Sequence, residues 1–186
     1  MKKVSVFLMF LLAAWCFEAC NNDKAKDPVE AAEEANENNK AVKEDDSEFM
    51  VKAANGGMLE VELGKIAATK AKSQKVKDYG NMMVTDHTKA NEELKALAAT
   101  KNITLPATLS EDEQKHINDL NQKKGVDFDK EYIDMMVKDH KKDIDEFEEA
   151  SKEAKDTDVK TWASKTLPTL RTHLASAQSI NDAMKK

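Results

Sequence analysis

Six residues, Met82-Met83-Val84-Thr85-Asp86-His87, return fifty-three positions later as Met135-Met136-Val137-Lys138-Asp139-His140, and this echo constrains the fold more than any other feature of the chain. Across 78–94 and 131–147, eight of seventeen positions are identical, among them Tyr79 with Tyr132 and His87 with His140. Self-similarity at this length points to two related helices, each placing a histidine at the same point of its surface.

The N-terminus reads as an address. Lys2 and Lys3 precede an apolar run from Val4 to Phe17, long enough for the core of an export signal and too short for a membrane span. Its end, Phe17-Glu18-Ala19-Cys20, resembles a bacterial lipoprotein signal. Residues 1–19 are then the leader, and Cys20 is the lipidated first residue of an outer membrane lipoprotein facing the periplasm. A plain secretory signal is the alternative, and Glu18 departs from the usual pattern. Cys16 and Cys20 are the two cysteines, so the mature domain has no disulfide to draw on and depends on packing or metal.

From Asn21 to Asp46 there is no aromatic residue, and Ala, Glu, Asn, Lys and Asp dominate. Taken alone, such a stretch buries too little apolar surface to offset chain ordering, so residues 20–46 are expected to form a flexible tether. The folded domain is expected over 47–186, one core's worth of chain.

That domain reads as helix throughout. Five glycines and three prolines in 186 residues, with abundant Ala, Lys and Glu, place it in the all-α class. Long helices are expected at 47–71, 73–101, 126–154 and 156–184, with breaks at Lys72-Ser73 and Asp156-Thr157. The longer connection in the middle holds Leu105-Pro106, Gly125, and a short helix starting at Ser110 with Glu113 completing a capping box. Two tight hairpins joined by a long crossover make a ferritin-like four-helix bundle in which the second and third long helices run parallel.

The inward faces follow from spacing. Val76, Gly80, Met83, His87, Ala90, Leu94 and Leu97 alternate by four and three, the rhythm that keeps one stripe on a partner. Ile133, Met136, His140, Ile144 and Phe147 form the matching stripe, with Asp143 at its edge. The last helix repeats it with Val159, Ala163, Thr166, Leu170, His173, Ala177, Ile180 and Met184, and the first with Phe49, Ala53, Gly56, Glu60, Leu63 and Ala67. Each long helix therefore carries one imidazole or carboxylate near its middle, and at about 1.5 Å rise per residue the four fall in one layer.

A buried layer of Glu60, His87, His140 and His173 must be satisfied, and two ways are open. Three imidazoles and a carboxylate suit a transition metal such as Zn, Fe or Mn. Alternatively the groups bond one another, with Asp86, Asp139 or Asp143 holding the histidines and no ion required. A thioether variant pairs Met83 with His87 and Met136 with His140 for Cu, although methionine more often fills core space. Asp143, Met83 and Met136 are thus the weaker ligand candidates.

Several segments carry a resemblance: Glu60-Val61-Glu62-Leu63-Gly64, Met83-Val84-Thr85-Asp86-His87, Phe128-Asp129 with Tyr132, Asp139-His140, and Leu167-Pro168 with His173. Together they resemble a ferritin-like bacterial envelope family of unknown function whose members are often labelled outer membrane proteins. The resemblance spans roughly 49–184 and implies a four-helix fold and an exported location, with no established activity. Ferritin-like di-iron proteins place Glu three residues before His on two helices. Here Val84 and Leu170 stand there, which disfavours a bridged di-iron centre.

Pro168 is expected to bend the last helix. Trp162, Tyr79 and Tyr132 read as core packing, and His116, off the stripes, as exposed. Without the leader, 27 basic and 34 acidic residues leave a net charge of −7; nucleic acid would require a basic stripe instead. There is no nucleophile beside a base and no phosphate loop. Three roles follow: a lipid-tethered metal-binding bundle, a structural or interaction module with a hydrogen-bonded core, and a metal-dependent redox enzyme. The membrane, reached through the lipid, is the one partner the sequence names.

Overall fold

The two places where helix-breaking residues were expected become hairpin turns. A computed structural model describes residues 26–185, and these form six helices with no strand among them. They are α1 (Pro28–Asn36), α2 (Glu44–Lys70), α3 (Gln74–Lys101), α4 (Glu111–Gln122), α5 (Gly125–Glu153) and α6 (Thr157–Met184). The leader and Cys20 lie outside the described residues. Among those described, no helix is long and apolar enough to cross a membrane.

Polar contacts at the helix ends fix the directions. Asp46, near the start of α2, accepts from the backbone N–H groups of Lys155 (2.9 Å) and Asp156 (2.7 Å) in the α5–α6 turn. Asp129, near the start of α5, accepts from Lys72 (2.9 Å) and Ser73 (2.7 Å) in the α2–α3 turn. Lys101, at the end of α3, pairs with Asp156 and Asp158 at the start of α6, each at 2.7 Å. So α2 runs antiparallel to α5 and α3 antiparallel to α6, which leaves α3 and α5 parallel, joined by the crossover that contains α4. The clamps themselves repeat: Asp46 and Asp129, Lys72 and Lys155, and Ser73 and Asp156 are each 83 positions apart.

The α2–α3 hairpin closes most tightly where two glycines meet. A Cβ on Gly64 would lie 2.7 Å from the Gly80 carbonyl oxygen, and one on Gly80 would lie 2.7 Å from that of Gly64. The backbones touch there, and no side chain fits between them.

Two apolar clusters lie on either side of the polar layer. One gathers Met50, Leu94, Phe147, Trp162 and Leu170, and the other Leu63, Met83, Phe128, Tyr132 and Met136. Each large side chain removed from water here stabilises the fold by roughly 1.5–3 kcal/mol. Met83 and Met136 are both fully buried in the second cluster.

Three expectations need correcting. The tether expected over 20–46 is helical from Pro28: Asp27 caps α1 by accepting from Val29 N (2.8 Å), and Ala32, Asn36 and Val42 are buried. Asn36 donates to the Thr104 carbonyl (2.9 Å) and accepts from the Thr104 N–H (2.8 Å). Composition judges a segment by the core it could build alone, whereas α1 borrows the surface of α2. For the same reason the N-terminal half of α2 buries Met50, Ala54 and Gly57, while Phe49, Ala53 and Gly56 are half-buried. The capping box is also only half made. Ser110 Oγ accepts from Glu113 N (3.3 Å), but Ser110 N donates to the buried Asn55 Oδ1 (3.0 Å) rather than to Glu113.

Candidate functional site

Glu60 on α2, His87 on α3, His140 on α5 and His173 on α6 meet in the middle of the bundle, none more than 6 % exposed. The three imidazole centroids lie 5.2–5.7 Å apart, and one ring nitrogen of each lies within 4.8 Å of a nitrogen of the other two. The four-three spacing brings them together because each occupies a stripe position at mid-helix on an element that the aspartate clamps pin at one end or both.

Each ring is held by one nitrogen. His87 Nδ1 lies 2.9 Å from Glu60 Oε2. His140 Nδ1 lies 2.9 Å from the Met136 carbonyl oxygen, one turn earlier on its own helix. His173 Nε2 lies 2.8 Å from Asp86 Oδ2. A carbonyl or carboxylate oxygen can only accept, so in each case the ring nitrogen is the donor. That fixes the tautomers: in the neutral rings the lone pairs are on His87 Nε2, His140 Nε2 and His173 Nδ1.

Those three nitrogens are what the site has left over. His87 Nε2 is buried with no hydrogen-bond partner. His140 Nε2 and His173 Nδ1 face each other at 3.2 Å, and two lone pairs at that distance repel unless a proton or a metal ion lies between them. Zinc–imidazole bonds of about 2.0–2.1 Å separated by a tetrahedral angle span about 3.3 Å between nitrogens. The observed separation fits one edge of such a tetrahedron.

Electrostatics sort the rings. Burial pushes His173 down to about 4, with the charges of His87 and His140 adding and the Asp86 hydrogen bond opposing. Burial also lowers His140, and the Glu60 charge only partly offsets it. For His87 burial acts the same way, but the Glu60 charge and hydrogen bond outweigh it and the net shift is upward. Burial pushes Glu60 up, yet the surrounding histidines win and hold it at about 2. Glu60 is thus a carboxylate paired with His87.

The remaining oxygen of that carboxylate is unusual. Glu60 Oε1 lies 3.3 Å from His140 Nδ1, but that N–H is directed at Met136, and Oε1 has no hydrogen-bond donor. Asp143 is close by, with an oxygen within 4.8 Å of Glu60 and His140 ligand atoms. Burial and the Glu60 charge push its carboxyl well above the usual range. Burial and Glu60 likewise raise Asp139, to about 6.

The four principal candidates are therefore brought together, and the weaker ones divide. Asp143 adjoins the layer, while Met83 and Met136 pack among Leu63, Phe128 and Tyr132. Asp86, one of three aspartates offered as a histidine partner, holds His173. The Met136 carbonyl was missed because backbone acceptors leave no mark on side-chain spacing. His116 is exposed and bonds Glu113 (3.0 Å). Tyr79 and Tyr132 form an edge-to-face pair at 6.1 Å. Burial raises both phenols, and neither hydroxyl has a partner.

Residues 31–180 match the family described as Domain of unknown function (DUF4142). The chain belongs to that family. The DUF4142 match includes all four core residues and reaches back into α1, in line with a domain that begins before residue 47. Among curated proteins none matches the chain. A solved structure described as "Crystal structure of DUF305 fragment from Deinococcus radiodurans" is similar in fold, with a TM-score of 0.68. It is 9 % identical, and the match covers 76 % of this chain and 98 % of that one. At that identity the likeness concerns the helical architecture alone.

Proposed function

We propose that this DUF4142 chain is a lipid-anchored cell-envelope protein whose ferritin-like four-helix bundle holds one transition-metal ion on His87 Nε2, His140 Nε2 and His173 Nδ1. One observation carries the metal reading. Every imidazole has one nitrogen engaged by an oxygen, two of the free nitrogens, His140 Nε2 and His173 Nδ1, face each other at 3.2 Å, and a nitrogen of His87 lies within 4.8 Å of that pair. Hydrogen bonding alone would need a protonated ring to join His140 Nε2 to His173 Nδ1, which their burial opposes, and it leaves His87 Nε2 without a partner. A metal site accounts for the arrangement, because ligating histidines donate their other N–H to a carboxylate or carbonyl that fixes tautomer and orientation.

Glu60, Asp86 and the Met136 carbonyl take that orienting role, so Glu60 acts through His87 rather than as the primary ligand. Three neutral imidazoles suit zinc, and also copper, iron or nickel, and the choice among them rests on availability as much as on affinity. The bound ion would contribute Lewis acidity or redox capacity. The residues themselves bind it, keep water from the nitrogens and set their tautomers. The envelope location is supported by the apolar run from Val4 to Phe17 and the cysteine that follows it.

The test uses protein purified without a histidine tag. One zinc or copper ion per chain is expected, with a melting temperature that rises on metal addition by an amount set by free metal over Kd. His87→Ala should abolish both. A melting curve unmoved by zinc, copper, manganese and iron would leave the structural module, with its core held by hydrogen bonds alone, as the better reading.

A further inference from the structure

A small cavity adjoins the layer, lined by residues of α2, α3, α5 and α6. About 30 Å³ in volume, it is lined by Gly56, Glu60, His87, Asn91, Asp143 and Trp162 among others. One water needs roughly 10–15 Å³ of such space, so the cavity has room for an ion that keeps a water or two. Its walls hold more polar atoms than the protein satisfies. Glu60 Oε1, Trp162 Nε1 and His87 Nε2 are all buried without partners, and Trp162 is only 7 % exposed.

These atoms divide by chemistry. Glu60 and Asp143, with carboxyl oxygens within 4.8 Å of each other, offer hard oxygen ligands, Glu60 as a carboxylate and Asp143 as a carboxyl that ionises when a cation enters. Two carboxyls so close cannot both be ionised without something positive between them. The indole N–H of Trp162 only donates, which suits the oxygen of a water carried by a cation. Asp143 also lies 83 positions after Glu60, the interval that relates the two aspartate clamps, so both hairpins contribute carboxyls to the same cavity, Glu146 among them, and Lys52 is the one lysine in its lining. On the α2 side, a Cβ on Gly56 would meet nothing within 4 Å, and the wall is open there.

We infer that this cavity is the uptake port of the bundle, in which Glu60 and Asp143 first capture a partly hydrated divalent cation and pass it to the imidazoles. The inference rests on the metal reading above. Glu60 links the two stations: Oε2 orients His87 and Oε1 faces the port. His87, which lines the cavity and belongs to the trio, is the first imidazole the ion meets. Oxygen ligands suit a partly hydrated ion, and the nitrogens then replace its water.

The experiment is stopped-flow uptake of Co(II), whose visible absorption rises as the imidazoles bind it. Asp143→Asn, nearly isosteric, and Gly56→Leu, which fills the cavity wall, should each slow uptake by about tenfold or more. Gly56→Leu should reach the wild-type final absorbance. Asp145→Asn removes a carboxyl from the exposed face of α5 and should stay within about twofold of wild type. Wild-type rates in both Asp143→Asn and Gly56→Leu would overturn the port while leaving the imidazole site intact. So would equal slowing in Asp143→Asn and Asp145→Asn, which would indicate a general charge effect. A wild-type protein that takes up no Co(II) would overturn both readings.

Discussion

At the residue scale the chemistry is decided by which nitrogen of each ring is spent on an oxygen. Sequence spacing could say that His87, His140, His173 and Glu60 face inward, since that follows from helical period, but not which ring atom is free. Tautomer choice depends on acceptors such as the Met136 carbonyl and Asp86 Oδ2, and these are properties of the folded backbone. The arrangement has a pH signature in metal-free protein. The unfolded chain binds the His173 proton near 6.5, whereas the folded chain binds it near 4. The contribution of this residue to stability is therefore complete above about 6.5, shrinks as pH falls and is lost below about 4. His87 runs the other way, its contribution being lost as pH rises through its raised value. Unfolding by urea between pH 4 and 7 should show wild type losing up to about 3 kcal/mol more on acidification than His173→Asn, in which that term is absent. Parallel pH profiles for the two proteins would refute the assignment.

At the element scale, the long helices were legible because glycine and proline are scarce and the apolar stripes regular. The boundaries agree within three residues at every end, from the expected 47–71 against Glu44–Lys70 to 156–184 against Thr157–Met184. The N-terminal helix was not legible, since its stabilisation comes from α2 and from Asn36 bonding the Thr104 backbone. Nor were the aspartate clamps, because an acidic residue in a first helical turn looks like ordinary dipole complementarity. Asp129 does more than that: it satisfies two backbone N–H groups of another hairpin. Asp129→Ala strands both and should cost about 1–3 kcal/mol in chemical denaturation. An unchanged denaturation midpoint would show that water satisfies that turn equally well.

At the scale of the whole molecule, the repeat between 78–94 and 131–147 marked two related helices, which are α3 and α5, each carrying a central histidine. The interval of 83, which relates Asp46 to Asp129 and Glu60 to Asp143, is carried by isolated polar residues and emerges only from their contacts. The bundle thus places a polar layer between two apolar clusters, with long helices pinned at one end or both by charge-assisted bonds. Such a frame holds the three imidazoles in place, which is what the proposed metal binding requires. The central claim is best tested by anomalous diffraction at the zinc edge from crystals of the protein soaked in zinc. The expected result is a single strong core peak bonded to His87 Nε2, His140 Nε2 and His173 Nδ1, with Glu60 on the far side of His87. Peaks confined to surface carboxylates, with the three imidazoles unchanged, would contradict it.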